Sequence, residues 1–64
     1  MQIYLFEYHN YYIGNNEYKV LANNYEEAKS FLLEDEDIRK YIEDEDTELR
    51  KTYSWDFVEE PQIL

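Results

Sequence analysis

The sequence predicts a small α+β domain with its elements in the order β-β-α-α-β. The strands are expected to form a three-stranded antiparallel sheet in the order 2-1-3, with one bent helix or two short helices on one face. Three observations predict this fold. Two aromatic and β-branched segments near the N-terminus are separated by Gly and Asn. A stretch with helical spacing follows an Asn, and a last aromatic segment alternates with period 2. A chain of 64 residues has room for a single domain, residues 1–64.

The first two strands form a predicted hairpin. Residues 2–8 predict the outgoing strand and residues 17–22 the return strand, because both are rich in residues that favour sheets. Gly14–Asn16 is the clearest turn signal, since Gly and Asn tolerate positive φ. His9-Asn10 is an alternative tip, so the register of the hairpin stays open.

Helical spacing begins after Asn24, which is typical of an N-cap residue, with Glu27 three positions later as in a capping box. The residues expected to face the sheet are Tyr25, Ala28, Phe31 and Leu32, and the spacing resumes at Ile38, Tyr41 and Ile42. Thr47 is expected to cap a last short turn that contains Leu49. One bent helix and two short helices both fit this pattern.

The third strand is predicted over Thr52–Val58, with Tyr53, Trp55 and Phe57 on one face, and Glu59-Glu60-Pro61 ends it. Helices on one side leave the other sheet face open. With eight tyrosines in the chain, that face is expected to be aromatic. Trp55 is expected in the core, as are Tyr4 or Tyr8, Tyr25 and Tyr41 in part.

Charge narrows the range of functions. Sixteen acids against six bases give a net charge of −10, of which −2 lies in residues 1–33 and −8 in residues 34–64. Direct nucleic-acid binding is excluded because phosphates are bound by Lys and Arg, so a basic protein surface is the expected partner. The chain has no cysteine and a single histidine, His9, which we interpret as an exposed turn residue. The sequence therefore predicts no catalytic residues, no cofactor and no metal site.

No apolar stretch is long enough to cross a membrane, and a cytoplasmic location is expected.

Two acidic runs nine residues apart are the most distinctive feature. They consist of Glu34, Asp35, Glu36 and Asp37, then Glu43, Asp44, Glu45 and Asp46. Residues 34–48 hold nine acids, and as a helix they would be roughly 22 Å long. Duplex DNA of that length carries about 13 negative charges, so the two charge densities are of the same order. Nine residues turn a helix by about 900°, so the runs form one stripe only if the helix breaks between them. The alternatives are a solvated, self-repelling face and a calcium site, although the alternating ligands of an EF-hand are missing.

On the acidic runs Glu34–Asp37 and Glu43–Asp46, its length and its Asn- and Tyr-rich composition, the chain resembles the small acidic inhibitors encoded by phages and mobile elements. That class includes anti-CRISPR proteins and other DNA mimics. The resemblance implies a protein that blocks the nucleic-acid site of a host nuclease or repressor.

The predicted function is therefore non-enzymatic inhibition of a basic nucleic-acid-binding protein, such as a CRISPR effector nuclease, through the acidic runs. Tyrosine is enriched at interface hot spots, and Tyr11 and Tyr12 beside the predicted turn are the expected aromatic contacts. The alternative function is a structural or regulatory interaction module, a homodimer joined through a tyrosine-rich sheet face.

Overall fold

A computed structural model describes residues 1–56 of the chain. It confirms the predicted fold: three antiparallel strands in the order β2-β1-β3 and two helices on one face of the sheet. The elements are β1 (Gln2–Asn10), β2 (Gly14–Ala22), α1 (Tyr25–Glu34), α2 (Glu36–Glu43) and β3 (Thr47–Asp56). The predicted strand residues Phe57 and Val58, and the predicted strand end at Glu59–Pro61, lie outside the described residues.

The hairpin tip lies between the two alternatives that the sequence left open. β1 pairs with β2 from Gln2↔Ala22 to Asn10↔Gly14, so Tyr11–Ile13 form the turn. Gly14 has a φ of 109°, a conformation that side chains with a Cβ rarely adopt. Glycine is therefore required where the return strand begins, and both strands are longer than predicted.

The helical segment consists of two helices, because Asp35 ends α1 and caps α2. Asn24 caps α1 as predicted, its Oδ1 accepting from the backbone N–H of Glu27 at 2.8 Å. The Glu27 carboxylate accepts from the backbone N–H of Asn23 rather than from that of the cap residue, so the capping box is shifted by one residue.

The predicted turn at Thr47 is wrong, because Thr47 is the first residue of β3, which starts five residues before the predicted Thr52. Thr47 pairs with Asn10, and its Oγ1 accepts from Asn10 Nδ2 at 2.8 Å. Glu7 pairs with Lys51, but the next residue, Tyr8, pairs with Leu49, so the register shifts by one residue. Arg50 therefore has no partner on β1 and forms a bulge. β3 therefore begins with charged residues that local sequence assigned to a turn.

The core lies between the sheet and the helices and is built largely from tyrosine and phenylalanine. Its buried members are Tyr4, Phe6, Tyr8, Ala22, Ala28, Leu32 and Tyr41. Ile38 and Ile42 pack against this core, as their spacing predicted. Of the four α1 residues predicted to face the sheet, Ala28 and Leu32 are buried. Tyr25 is 42% exposed, with its ring centroid 5.6 Å from that of Phe6, so it is partly core as predicted, whereas Phe31 is 43% exposed and lies outside the buried core.

Candidate functional site

The two acidic runs flank helix α2. Glu34–Asp37 spans the junction of the helices and the first turn of α2, and Glu43–Asp46 begins at the last residue of α2. At 1.5 Å per residue, Glu36 and Glu43 lie about 11 Å apart along the axis. A single acidic stripe would require a helix break between the runs, but the break lies within the first run, at Asp35. The acids therefore form two clusters at the ends of one helix and not a continuous stripe.

Half of the run acids are engaged within the chain. Asp35 Oδ1 accepts from the N–H groups of Asp37 and Ile38 at 2.9 and 3.1 Å and so caps α2. Asp44 Oδ1 accepts from the N–H of Asp46 at 2.8 Å in the turn that follows. Two others form ion pairs within α2, Glu36 with Lys40 at 3.5 Å and Glu43 with Arg39 at 3.6 Å.

The other half make no side-chain hydrogen bond or ion pair with residues 1–56. These four acids, which we call the unpaired acids, are Glu34, Asp37, Glu45 and Asp46, all exposed to solvent. Two of them lie at each end of α2. Their carboxylates therefore keep all their hydrogen-bonding capacity for a binding partner.

Helix electrostatics favour only the first cluster. The N-terminus of α2 carries a partial positive charge, which stabilises Glu36 and Asp37 in the first turn. The C-terminus carries a partial negative charge, which disfavours the carboxylates of Glu43–Asp46. Lys40 is the basic residue in the last turn of α2 and offsets part of that repulsion. Within the second run, Glu43 and Asp44 have local partners, whereas Glu45 and Asp46 add negative charge near this helix end without one among residues 1–56.

Charge is segregated between the two layers of the molecule. The helical layer, residues 24–46, holds ten acids and three bases, a net charge of −7. The three strands hold four acids and three bases, a net charge of −1. Even the cations of the helical layer are occupied, since Arg39 and Lys40 form ion pairs and Lys29 donates to the Tyr8 hydroxyl at 2.8 Å. The outer surface of the helical layer is thus strongly negative.

Tyr11 and Tyr12 lie at the hairpin tip, each 77% exposed, with ring centroids 5.2 Å apart in an edge-to-face arrangement. The backbone N–H of Tyr11 donates to the carbonyl of Asp46 at 3.2 Å, which attaches the tip to the second acidic run. The structure therefore brings these two predicted contact residues beside Glu45 and Asp46. The first run lies at the far end of α2.

The open face of the sheet carries an apolar patch at one end. It is formed by Ile3, Leu5, Leu21, Tyr53 and Trp55, which alternate with the core residues of their strands. Leu21, Tyr53 and Trp55 are 43%, 40% and 42% exposed. Trp55 is therefore not a core residue as predicted, because its partner Ile3 points away from the helices.

The open face is less rich in tyrosine than predicted. Tyr53 is its single tyrosine within residues 1–56, since most of the others point toward the helices or lie in the turn. Tyrosine fills much of the interior because Tyr4, Tyr8 and Tyr18 occupy the strand positions that face the helices, while Ile3, Leu5 and Leu21 occupy the alternate positions. Sequence reasoning missed Ile3, Leu5 and Leu21 as surface residues; their alternation with Tyr4, Phe6 and Ala22 was the available signal.

The other end of the open face is polar. Glu17, Glu7 and Lys51 form one row across the three strands, which we call the charged row. His9 follows on β1 and is half-buried, with Nδ1 hydrogen-bonded to Asn15 Oδ1, so it is not the exposed turn residue predicted. Arg50 lies over the same region, where a depression of about 140 Å³ separates it from Glu7 and Glu17.

No group of three or more His, Asp or Glu side chains within residues 1–56 is arranged to hold a metal ion. In the same part of the chain, none of the helices has the length and apolar character needed to cross a membrane.

The chain was also compared with known proteins. Neither a protein-family model, nor a curated protein, nor a solved structure matches it.

Proposed function

We propose that the protein is a non-enzymatic inhibitor that docks its acidic helical layer on the basic, nucleic-acid-binding surface of another protein. One observation carries the proposal: the helical layer holds −7 of the net charge of −10 and the strands only −1. Charge that only keeps a protein soluble can be spread over its whole surface. Charge that substitutes for nucleic acid must be concentrated on one side, because that side faces a groove lined with Lys and Arg.

The unpaired acids supply the contacts. Glu34 and Asp37 at one end of α2, and Glu45 and Asp46 at the other, offer carboxylates at two points separated by about the length of the helix. Arginine and lysine side chains built to bind successive phosphates can pair with such carboxylates through charge-assisted hydrogen bonds. Tyr11 and Tyr12, beside the second cluster, add apolar contact area at the rim.

The partner class follows from this chemistry. Proteins with basic surfaces that bind nucleic acid include CRISPR effector nucleases and repressors. In this proposal the protein acts as an anti-CRISPR protein or as an inhibitor of a related type. It acts in the cytoplasm, where such nucleases meet their targets. Electrostatic steering gives fast association that weakens as salt screens the charges.

Displacement of labelled DNA from purified CRISPR effector nucleases and repressors tests the proposal. At low salt the wild-type chain is expected to release the DNA from at least one of these proteins and to lose this effect as salt rises. No displacement from any of them at low salt contradicts the proposed function.

Two variants of equal net charge separate charge placement from total charge. The helical-layer variant is Glu34→Gln, Asp37→Asn, Glu45→Gln and Asp46→Asn; the strand variant is Glu7→Gln, Glu17→Gln, Glu48→Gln and Asp56→Asn. Each has a net charge of −6. The helical-layer variant is expected to lose roughly tenfold or more in potency, and the strand variant to stay near wild type. Equal losses in the two variants contradict docking through the helical layer.

A further inference from the structure

The open face of the sheet is electrostatically unlike the rest of the molecule. The acids on it are Glu7, Glu17 and Glu48, and the bases are Lys19, Arg50 and Lys51. In a chain of net charge −10, this face is neutral. A second copy of the chain would be repelled by the helical layer but not by this face.

The residues of the open face form rows across the strands. The rows are self-complementary: after a twofold rotation, the residues of one copy lie over residues of complementary character in a second copy. In order β2, β1, β3 they are Leu21-Ile3-Trp55, Lys19-Leu5-Tyr53 and Glu17-Glu7-Lys51. A twofold axis in the plane of the face and parallel to β1 exchanges the positions of β2 and β3 and keeps each row at its own level. A face related by this axis would lie over the first in an isologous contact.

Under that axis, unlike groups meet at each flank. Leu21 lies over Trp55 of the second copy, an apolar contact, and Ile3 and Leu5 meet their own counterparts. Lys19 lies 6.0 Å from the Trp55 ring centroid of its own chain, and the axis places it over Tyr53 of the second copy, in position for a second cation–π contact. Glu17 lies over Lys51 of the second copy, and Lys51 over its Glu17, so that two ion pairs form.

Within one copy Glu17 and Lys51 are separated by strand β1, and at a strand spacing of about 4.8 Å they lie about 10 Å apart. No ion pair between them is found within residues 1–56. Lys51 lies over the Tyr53 ring of its own chain, 5.4 Å from the centroid, and opposite Glu7. Glu17 has no ion-pair partner within residues 1–56, so the Lys51 of a second copy is the base that the axis brings to it. Glu7 lies on the axis and meets Glu7 of the second copy, which is the one like-charge contact.

We infer that the protein forms a homodimer in which the open sheet faces pack against each other about a twofold axis parallel to β1. The helical layers then point outward on opposite sides and stay available for the acidic contacts proposed above. The three rows cross three strands and extend over five residues of each strand, which gives a footprint of about 14 Å by 17 Å. This is smaller than a standard interface of about 800 Å² per partner, so the dimer is weak and reversible.

The single tryptophan of the chain reports directly on this contact. Trp55 is 42% exposed in one copy and becomes covered in the dimer. Sedimentation velocity of the full chain from about 10 µM to about 1 mM, at low and high salt, is expected to show a monomer–dimer equilibrium. The Trp55 emission is expected to shift to the blue over the same range. Salt screens both the repulsion between two chains of net charge −10 and the two ion pairs between them, so the dimer affinity is expected to change little with salt.

Charge exchange tests the orientation of the axis. Glu17→Lys and Lys51→Glu are each expected to weaken dimerisation about tenfold, because each replaces two ion pairs with like-charge contacts. Mixing the two variants is expected to restore association, because in the mixed dimer each of the two contacts again joins a lysine to a glutamate. Glu7→Gln is expected to tighten the dimer by removing the like-charge contact.

The matched controls are Trp55→Ser and Phe31→Ser, which change aromatic residues of nearly equal exposure, 42% and 43%, on opposite layers. Only Trp55→Ser is expected to abolish dimerisation, and circular dichroism checks that both variants fold. A chain that stays monomeric throughout, or charge variants that fail to associate when mixed, overturns the inference. The nucleic-acid displacement assay is read on the opposite layer, so either proposal can fail while the other stands.

Discussion

Asn10 is a buried polar residue on which two connections of the chain converge. Its side chain is 1% exposed, and its Oδ1 accepts from the N–H groups of Tyr12 and Ile13, both at 2.8 Å. Its Nδ2 donates to Thr47 Oγ1 at 2.8 Å. One amide therefore holds the hairpin tip and the start of β3 together, and it satisfies donors that the turn leaves without a backbone partner.

Asn10→Ala is expected to lower the free energy of unfolding by about 2 kcal/mol or more, because it leaves these groups without hydrogen bonds. Urea denaturation measures the loss. Asn23→Ala, which removes only exposed hydrogen bonds to Glu27, is the control and is expected to cost less than about 0.5 kcal/mol. Similar losses in the two variants contradict the role assigned to Asn10.

Tyr18 and Tyr41 give the core a dependence on alkaline pH. Burial raises the pKa of the Tyr18 hydroxyl above its ordinary value, and the neighbouring Tyr41 raises it further. Burial also raises the pKa of Tyr41, whose hydroxyl donates to the Gly14 carbonyl at 2.8 Å. The folded state therefore holds both protons more tightly than the unfolded chain does.

The stability that these two groups contribute is fully present below the unfolded pKa of about 10 and is lost as pH rises through the raised folded values. Urea midpoints are therefore expected to fall as pH rises above about 10. Tyr41→Phe is expected to make this fall shallower, whereas Tyr12→Phe at the exposed tip should leave its slope unchanged. Identical slopes in wild type and Tyr41→Phe contradict the explanation.

At the scale of elements, Asp35 decides that the helical segment is two helices. Its extended backbone, with φ −82° and ψ 121°, stops α1, and its carboxylate caps α2. Asp35→Ala is expected to cost about 1 kcal/mol of unfolding free energy in urea denaturation. Asp37→Ala, which removes an acid from the same turn but no cap, should cost less, since only the interaction with the helix dipole is lost. The reverse order contradicts the assignment of the break to Asp35.

Strand β3 shows where local sequence stops being informative. Residues 47–51, TELRK, have no alternation of apolar and polar residues, so nothing local predicts a strand there. Pairing with β1, the Asn10–Thr47 hydrogen bond and the bulge at Arg50 place them in the sheet. These are contacts between residues about 37 positions apart, which no local pattern encodes. The strand order, by contrast, followed from the element order alone.

At the scale of the whole molecule, the sequence predicted that the acids lie in the helical segment and that the opposite sheet face is open. It did not determine which strand residues lie on that open face, because a shift of one residue in register exchanges the two faces of a strand. The sequence predicted Tyr4 or Tyr8 as core, and both are buried. Trp55 was wrongly predicted as core, because an alternating aromatic strand does not reveal which of its faces the helices cover. The apolar patch was missed for the same reason.

The segregation of charge between the layers is the central claim, and the salt dependence of binding tests it most directly. The slope of log affinity against log salt concentration counts the ionic contacts that a partner makes. For any protein from which the wild-type chain displaces DNA, the helical-layer variant is expected to show a clearly shallower slope than the strand variant, although both have a net charge of −6. Indistinguishable slopes would mean that total charge governs binding, and would contradict docking through the helical layer.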